Sequence, residues 1–233
     1  MASDLSALAG AVIVFDLDGT LVDTARDIVD ALNVLLEEEG LAALPLEIGR
    51  NLIGGGARAL IERAFARAEV PLTAARLDAL HARVLALYGP RIALHSRPYP
   101  GVEATLAALA AAGARLVVCT NKQSALSQSL IAQLGLDRFF TAVVGPDTAA
   151  ARKPDPRHLL AAVRAAGGDA ARAVMVGDSA SDAQAARAAG IPLILVSYGY
   201  TEIPPAELLP DLLIDHFSEA PQACLRLLGA GER

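Results

Sequence analysis

The fold is decided by residues 12–23, which read V-I-V-F-D-L-D-G-T-L-V-D. The first four residues form an apolar run, rich in β-branched side chains, that is too short for a helix and apolar on both alternating faces. Strands buried in a parallel sheet have this pattern. Asp16 and Asp18 follow at once, and carboxylates at the end of a buried strand are costly unless their charge is compensated. The stretch therefore predicts a buried strand with a chemical site at its carboxyl end.

Further apolar runs of the same type predict the rest of a sheet, at residues 116–119, 142–144, 173–176 and 193–196. Helical patterns lie between them: Asp155 is typical of a helix N-cap, and Ser179 and Asp182 have capping-box spacing. Residues 212–215 and 218–228 predict an edge strand and a closing helix. The alternation of strand and helix predicts an α/β fold with a doubly wound, Rossmann-like parallel sheet.

The segment between the first and second predicted strands contains helical apolar patterns and no convincing strand. Thr24 and Asp27 have capping-box spacing and predict the start of its first helix. We therefore predict a catalytic core of residues 1–23 and 98–233, with a helical cap domain of residues 24–97 inserted after the first strand.

Composition narrows the possible functions. The chain has 233 residues, of which 54% are hydrophobic, and a net charge of −6, so a disordered chain is excluded. Without a run of Lys or Arg, neither a nucleic acid nor an anionic membrane is expected as a partner, and no apolar stretch is long enough to span a membrane. Cys119 and Cys224 lack metal-binding spacing and are expected in the core, which fits a reduced, cytoplasmic location.

Ligands in open α/β sheets bind at the carboxyl ends of the strands, so the polar residues after each strand are expected to converge. These residues are Asp16, Asp18, Thr120, Asn121, Lys122, Lys153 and Asp178. Their carboxylates would repel one another strongly, which argues for a bound divalent cation, and oxygen ligation suits Mg²⁺. Lys153 and Thr120 would then face a phosphoryl group. The four histidines have no paired metal spacing and are assigned no role.

The order of these motifs resembles that of the haloacid dehalogenase superfamily of phosphohydrolases. The motifs are D-x-D-G-T-L, a hydrophobic strand ending in Thr, Lys-Pro, and G-D-S-x-x-D, and all four are present. Residues 50–64, which contain three consecutive glycines, resemble the cap segment of the phosphoglycolate phosphatase family. Residues 15–23, 120–122 and 176–190 also resemble that family.

The resemblance implies a role for each motif residue. Asp16 is the implied nucleophile, and Asp18 the acid that protonates the leaving group and then deprotonates water. Mg²⁺ would be held by Asp16, Asp178 and the backbone carbonyl of Asp18. The implied phosphate-binding residues are Thr120, Asn121 and Lys153. Asp182 is either an outer partner of the metal site or of Lys153, or only the cap of its own helix.

The implied reaction is Mg²⁺-dependent hydrolysis of a small phosphorylated metabolite, with 2-phosphoglycolate as the expected substrate. Arg50 and Gly55 of the cap are expected to contact it, and the candidate cations for its carboxylate are Arg50, Arg58, Arg97 and Lys122. A phosphosugar phosphatase or mutase of the same superfamily is the alternative. Such mutases carry a His in the first cap helix, where this chain has Ile28. A dinucleotide-binding oxidoreductase is disfavoured because the first turn lacks G-x-G-x-x-G.

Overall fold

The computed structural model describes residues 4–201 and 203–229, and it contains a parallel sheet of six strands in the order β5-β4-β1-β6-β7-β8. These strands are β1 (Val12–Phe15), β4 (Arg115–Cys119), β5 (Phe140–Val144), β6 (Ala173–Gly177), β7 (Leu193–Val196) and β8 (Leu212–Ile214). The predicted α/β fold class is therefore confirmed. The outer ends of the predicted core, at residues 1 and 233, lie outside the described residues.

Helices cover both faces of the sheet, because alternate residues of each strand point to opposite sides. Ile13 and Phe15 of β1 belong to one core cluster, while Val12 and Val14 belong to a second. The first cluster includes side chains of α5 (Val102–Ala111), α6 (Ser124–Gln133) and α9 (Ala220–Gly229), and the second includes side chains of α7 (Pro156–Ala165) and α8 (Ala180–Ala189). Cys119 and Cys224 are buried free thiols within these clusters, as expected.

A second group of helices follows β1 and has its own core. It comprises α1 (Ala25–Glu38), α2 (Leu46–Asn51), α3 (Gly56–Arg67) and α4 (Ala74–Tyr88). The chain enters it through β2 (Val22–Asp23) and leaves through β3 (Arg97–Pro98), which pair antiparallel. Sequence analysis missed α2, α5 and this ribbon. The ribbon could not be predicted because strands of two residues have no readable periodicity. The division into core and cap domains stays a prediction.

Tyr200, on the loop after β7, joins the sheet to these helices. Its side chain is 1% exposed and belongs to the hydrophobic core of the helical group. The phenol oxygen accepts hydrogen bonds from Thr24 N at 2.7 Å and Ala25 N at 2.9 Å, and the hydroxyl donates to Asp23 Oδ1 at 2.5 Å. A side chain from the sheet thus satisfies the first amide groups of α1.

The predicted capping box at the start of α1 is wrong. Thr24 Oγ1 donates to Asp18 at 2.7 Å instead of capping its own helix. The Asp27 carboxylate accepts from His95 N at 3.0 Å and from Ser96 N at 2.8 Å, so it ties α1 to the end of the helical insertion. The spacing was correct for a capping box, but both side chains form hydrogen bonds with long-range partners.

Within the described residues, no helix is long and apolar enough to cross a bilayer.

We expect Tyr200→Phe to lower the free energy of unfolding by about 1–3 kcal/mol, because the amides of Thr24 and Ala25 lose their buried acceptor. Urea denaturation followed by circular dichroism measures this change. Tyr198→Phe is the matched control, since its half-buried hydroxyl makes one hydrogen bond of 3.1 Å, to Thr20 O. Equal losses in the two variants would contradict the assigned role of Tyr200.

Candidate active site

The side chain of Lys153 lies at the centre of a buried cluster at the carboxyl edge of the sheet. Its Nζ donates to Cys119 O at 2.7 Å and to Asp182 Oδ1 at 2.7 Å, and lies 2.9 Å from Asp16 Oδ1. Burial alone would lower the pKa of this ammonium, but the charges of Asp16 and Asp182 outweigh burial and raise it. Three neighbours therefore occupy the three hydrogens of Lys153, and a phosphoryl oxygen must share or displace one of them.

Asp178, at the end of β6, is fixed by two donors. Thr20 Oγ1 donates to Oδ1 at 2.9 Å, and the backbone N–H of Tyr200 donates to Oδ2 at 2.6 Å. The loop carrying Tyr200 comes so close that a Cβ at Gly199 would lie 2.1 Å from Asp178 Cβ. A glycine is therefore required for the backbone to reach this carboxylate.

The charge of the cluster is not balanced by its own side chains. Carboxyl oxygens of Asp16, Asp178 and Asp182, all buried, lie within 4.8 Å of one another. With Asp18, four carboxylates face two ammonium groups, those of Lys153 and Lys122. Burial raises the pKa of Asp16 to about 7 against the opposing effect of Lys153, and burial and Asp16 raise the pKa of Asp178 well above its usual value. A buried oxygen donor set with surplus negative charge fits a hard divalent cation.

Asp182 contacts both Lys153 and the start of its own helix, and its part in a metal site stays a prediction. Its Oδ2 accepts from Ser179 N at 3.0 Å and from Ser179 Oγ at 2.6 Å, which forms the predicted capping box of α8. Its Oδ1 accepts from Lys153 Nζ. One carboxylate therefore both starts a helix and orients the central ammonium.

Asp18 lies beside a second buried ammonium. Lys122 Nζ donates to Asp18 Oδ1 at 2.5 Å and to the Tyr88 hydroxyl at 2.8 Å, and Thr24 Oγ1 also donates to Asp18. Burial opposes the charge of Lys122, but Asp18 outweighs burial and raises the pKa of this lysine. Lys122 thus joins the D-x-D turn to α4. The helices α1–α4 are called the cap helices below.

A cavity opens over Asp16, Asp18 and Thr120, between the sheet and the cap helices. The cap helices and their loops contribute Ile28, Ala31, Ile53, Gly54, Gly56, Ala57, Leu60, Val84, Leu85 and Tyr88. Apart from the Tyr88 hydroxyl, these side chains are apolar. Among the described residues that line the cavity, Lys122 is the one cation.

The other expected cations, Arg50, Arg58 and Arg97, are not among the residues that line the cavity, and the expected substrate contact of Arg50 stays a prediction. Its guanidinium donates to Tyr198 O at 3.0 Å and lies 4.8 Å from the centre of the Tyr200 ring, so a carbonyl and an aromatic face hold it outside the cavity lining. Arg58 pairs with exposed Asp78, and Arg97 donates to Ser96 O. Sequence alone gave no reason to rank these cations, because their partners are distant in the chain.

The glycine loop of the cap meets the sheet through Asn121. Its Nδ2 donates to Gly54 O at 3.3 Å and to Lys153 O at 3.1 Å, so its amide hydrogens connect the cap loop to the core. Gly54 and Gly56 line the cavity while Gly55 does not, and the expected substrate contact of Gly55 stays a prediction. A Cβ at Gly56 would lie 2.9 Å from Asn121 O, which explains the need for glycine there.

Thr120 presents its hydroxyl to the cavity floor. Thr120 Oγ1 accepts from Lys122 N at 3.1 Å, and within the described part of the chain nothing accepts the hydrogen of this hydroxyl. It is therefore placed to donate to an anion above Asp16.

His158 was missed by the sequence analysis. It is fully buried, its Nδ1 accepts from Lys153 N at 3.1 Å, and its Nε2 lies 3.3 Å from Val144 O, so Nε2 carries the hydrogen. Burial, with the neighbouring Lys153 charge, lowers the pKa of His158 to about 4. A neutral histidine therefore fixes the backbone that carries Lys153. Its only sequence signal was its position on the buried face of the first turn after Lys-Pro.

The family model for haloacid dehalogenase-like hydrolases matches residues 13–196. The chain belongs to this family. A phosphoglycolate phosphatase of Caulobacter vibrioides is 54% identical, over 97% of this chain and 95% of the relative. One of Agrobacterium fabrum is 47% identical, over 92% of each chain. The crystal structure of a predicted phosphoglycolate phosphatase from Haemophilus somnus 129pt superposes with a TM-score of 0.84 at 32% identity, covering 91% of this chain and 97% of that one.

These relationships confirm the family resemblance that the motifs indicated. As a haloacid dehalogenase-like hydrolase with these relatives, the protein is a phosphatase, and its substrate is a small phosphorylated molecule. The oxidoreductase alternative is thereby excluded.

His158 gives the fold a defined pH dependence. Its pKa in the folded protein, about 4, lies below its usual value of 6.5, so the unfolded chain takes up a proton first as the pH falls. The contribution of His158 to the free energy of unfolding is therefore fully present above about pH 6.5 and is lost as the pH falls towards 4. At pH 5 this loss amounts to about 2 kcal/mol.

We therefore expect the stability gap between the wild type and His158→Gln to be narrower at pH 5 than at pH 7.5 by about that amount. Urea denaturation at the two pH values measures the gap. His216→Gln is the control, because it removes an exposed histidine. A gap for His158→Gln that does not change with pH would refute the assignment.

Proposed function

We propose that this protein is a Mg²⁺-dependent phosphomonoester hydrolase that converts 2-phosphoglycolate to glycolate and phosphate in the cytoplasm. The observation that carries the proposal is the placement of Asp16 and Asp18 together on the floor of a cavity in which Lys122 is the one lining cation among the described residues. The names of the relatives at 54% and 47% identity support the substrate.

Asp16 is the proposed nucleophile. Its Oδ1 accepts from Leu17 N at 2.7 Å and lies 2.9 Å from Lys153 Nζ, so these contacts fix the carboxylate through one oxygen. Oδ2 is then the oxygen that attacks phosphorus. The bond from phosphorus to the alkoxide breaks as the aspartyl-phosphate forms, and the electron pair leaves with the glycolate oxygen.

Asp18 handles the proton in both halves of the reaction. Its acid form protonates the leaving oxygen, and the resulting carboxylate takes a proton from the water that attacks the aspartyl-phosphate. That attack releases phosphate and restores Asp16. Thr120 and Lys153 would offset the charge that develops on the phosphoryl oxygens.

The acidic cluster provides the donors for Mg²⁺, with Asp16, Asp178 and the backbone carbonyl of Asp18 as its proposed protein ligands. When bound, the ion would neutralise the surplus negative charge and draw a phosphoryl oxygen towards Asp16. Asp182 is proposed as an outer partner of this site, since its Oδ1 accepts from Lys153 Nζ and its Oδ2 from Ser179 N.

The cavity wall favours a small acid over a sugar phosphate. A sugar carries several hydroxyl groups that need hydrogen-bond partners, and the cap offers an apolar surface. Ile28 lies in that surface. It stands at the position where phosphosugar mutases of the superfamily carry a His. A mutase would therefore lack its acid–base group here.

A phosphate-release assay tests the proposal. With Mg²⁺, we expect kcat/KM for 2-phosphoglycolate to exceed that for glucose 1-phosphate and for p-nitrophenyl phosphate. Asp16→Asn is the control and should lose turnover on every substrate, because an amide cannot form the aspartyl-phosphate. A preference for the sugar phosphate, or multiple turnovers by a pure Asp16→Asn sample, would refute the corresponding part of the proposal.

The metal can be tested without turnover. Mg²⁺ should raise the thermal unfolding temperature of the wild type, because an ion bound to the folded state stabilises it by mass action. Asp178→Asn should abolish most of this increase, since it removes one carboxylate of the cluster. Differential scanning calorimetry with Mg²⁺ or with a chelator measures the shift. An equal shift in the variant would place the ion elsewhere.

A further inference from the structure

We propose that Lys122, supported by Tyr88, is the residue that recognises the carboxylate of the substrate and so determines specificity. This inference rests on the proposed function, since it concerns a substrate with a carboxylate on its leaving group. It assigns a task to Lys122 as the one cation among the described residues that line the cavity.

Distance is the first argument. Asp18 must come within hydrogen-bond reach of the oxygen that leaves phosphorus. In 2-phosphoglycolate a single methylene separates that oxygen from the carboxylate, which places the two within about 4 Å by ordinary bond lengths. The cation that binds the carboxylate must therefore lie next to Asp18. Lys122 Nζ lies 2.5 Å from Asp18 Oδ1, whereas Arg50 and Arg58 are not in the cavity lining.

The hydrogen bonds of Tyr88 are the second argument. Its hydroxyl oxygen accepts from Lys122 Nζ at 2.8 Å, and among the described residues nothing accepts its hydrogen. Tyr88 is 5% exposed and lines the cavity. The ammonium and the phenol hydrogen can thus donate to the two oxygens of one carboxylate.

The apolar wall is the third argument. Ile28, Leu60 and Val84 contribute no polar group, and among the described lining residues Lys122 alone offers a positive charge to a carboxylate beneath the cap. In a surrounding of low polarity, a charge–charge contact is stronger than it is in water. A leaving group without a negative charge would have no contact of comparable strength, because the wall is apolar and the charge contact with Lys122 requires a carboxylate.

The experiment compares 2-phosphoglycolate with the phosphate ester of glycolamide, which has the same shape but no carboxylate charge. We expect the wild type to have a higher kcat/KM for the carboxylate, and Lys122→Gln to reduce that ratio ~10- to 100-fold, the range of a charge-assisted contact. Loss of the Asp18 contact affects both substrates, so the ratio isolates recognition. Lys122→Arg should keep most of the ratio. Arg50→Gln, the matched control, should leave it unchanged.

A binding measurement covers the case in which Lys122→Gln loses all turnover. Calorimetric titration of 2-phosphoglycolate into Asp16→Asn, and into the same variant with Lys122→Gln, should show ~10- to 100-fold weaker binding in the second. Unchanged binding, or an unchanged substrate ratio in Lys122→Gln, would overturn the role of Lys122 and leave the proposed function standing. A wild type with no preference for the carboxylate would overturn the proposed substrate and this inference together.

Discussion

The buried ammonium of Lys153 is the interaction on which the active site depends. It connects Asp16 at the end of β1, Cys119 at the end of β4 and Asp182 in α8. Removing one partner of such a buried ion group costs several kcal/mol, about 3–5 by common experience, because the other charges stay buried without compensation. His158 keeps the ammonium in place by fixing its backbone. One side chain from a loop therefore bridges the buried carboxylates of Asp16 and Asp182.

The sheet and its acidic edge could be predicted because both depend on residues that are adjacent in the sequence. The run 12–15 is apolar on both faces, and Asp16, Thr120 and Asp178 directly follow the ends of β1, β4 and β6. Long-range partners were beyond reach. Arg50 was expected over the substrate, yet a carbonyl at Tyr198 and the ring of Tyr200 hold it, and neither contact leaves a trace in residue spacing. The sequence does not distinguish His158 from other helical histidines, because its hydrogen bond with Lys153 N depends on the folded loop.

The floor and the roof of the cavity differ in polarity, and this difference bears on the proposed choice of substrate. The floor concentrates charge, with Asp16, Asp18 and Lys122 in contact with the cavity, whereas the cap helices present mainly hydrocarbon. In the proposed mechanism, this hydrocarbon would exclude bulk water from the aspartyl-phosphate and strengthen the few charge contacts below it. Under the proposed function, the cap helices would discriminate mostly by offering no polar partners, and the core would supply the contacts that a substrate can make.

The dual position of Tyr200 means that the cap is not a portable module. Its ring belongs to the cap core while its amide holds Asp178 of the catalytic core. A cap transplanted from a relative must therefore bring a compatible loop around residues 198–200, although that loop lies a hundred residues and more beyond the insertion in the chain. Substrate range and the acidic edge would otherwise be altered together, and an exchange intended to redesign one would damage the other.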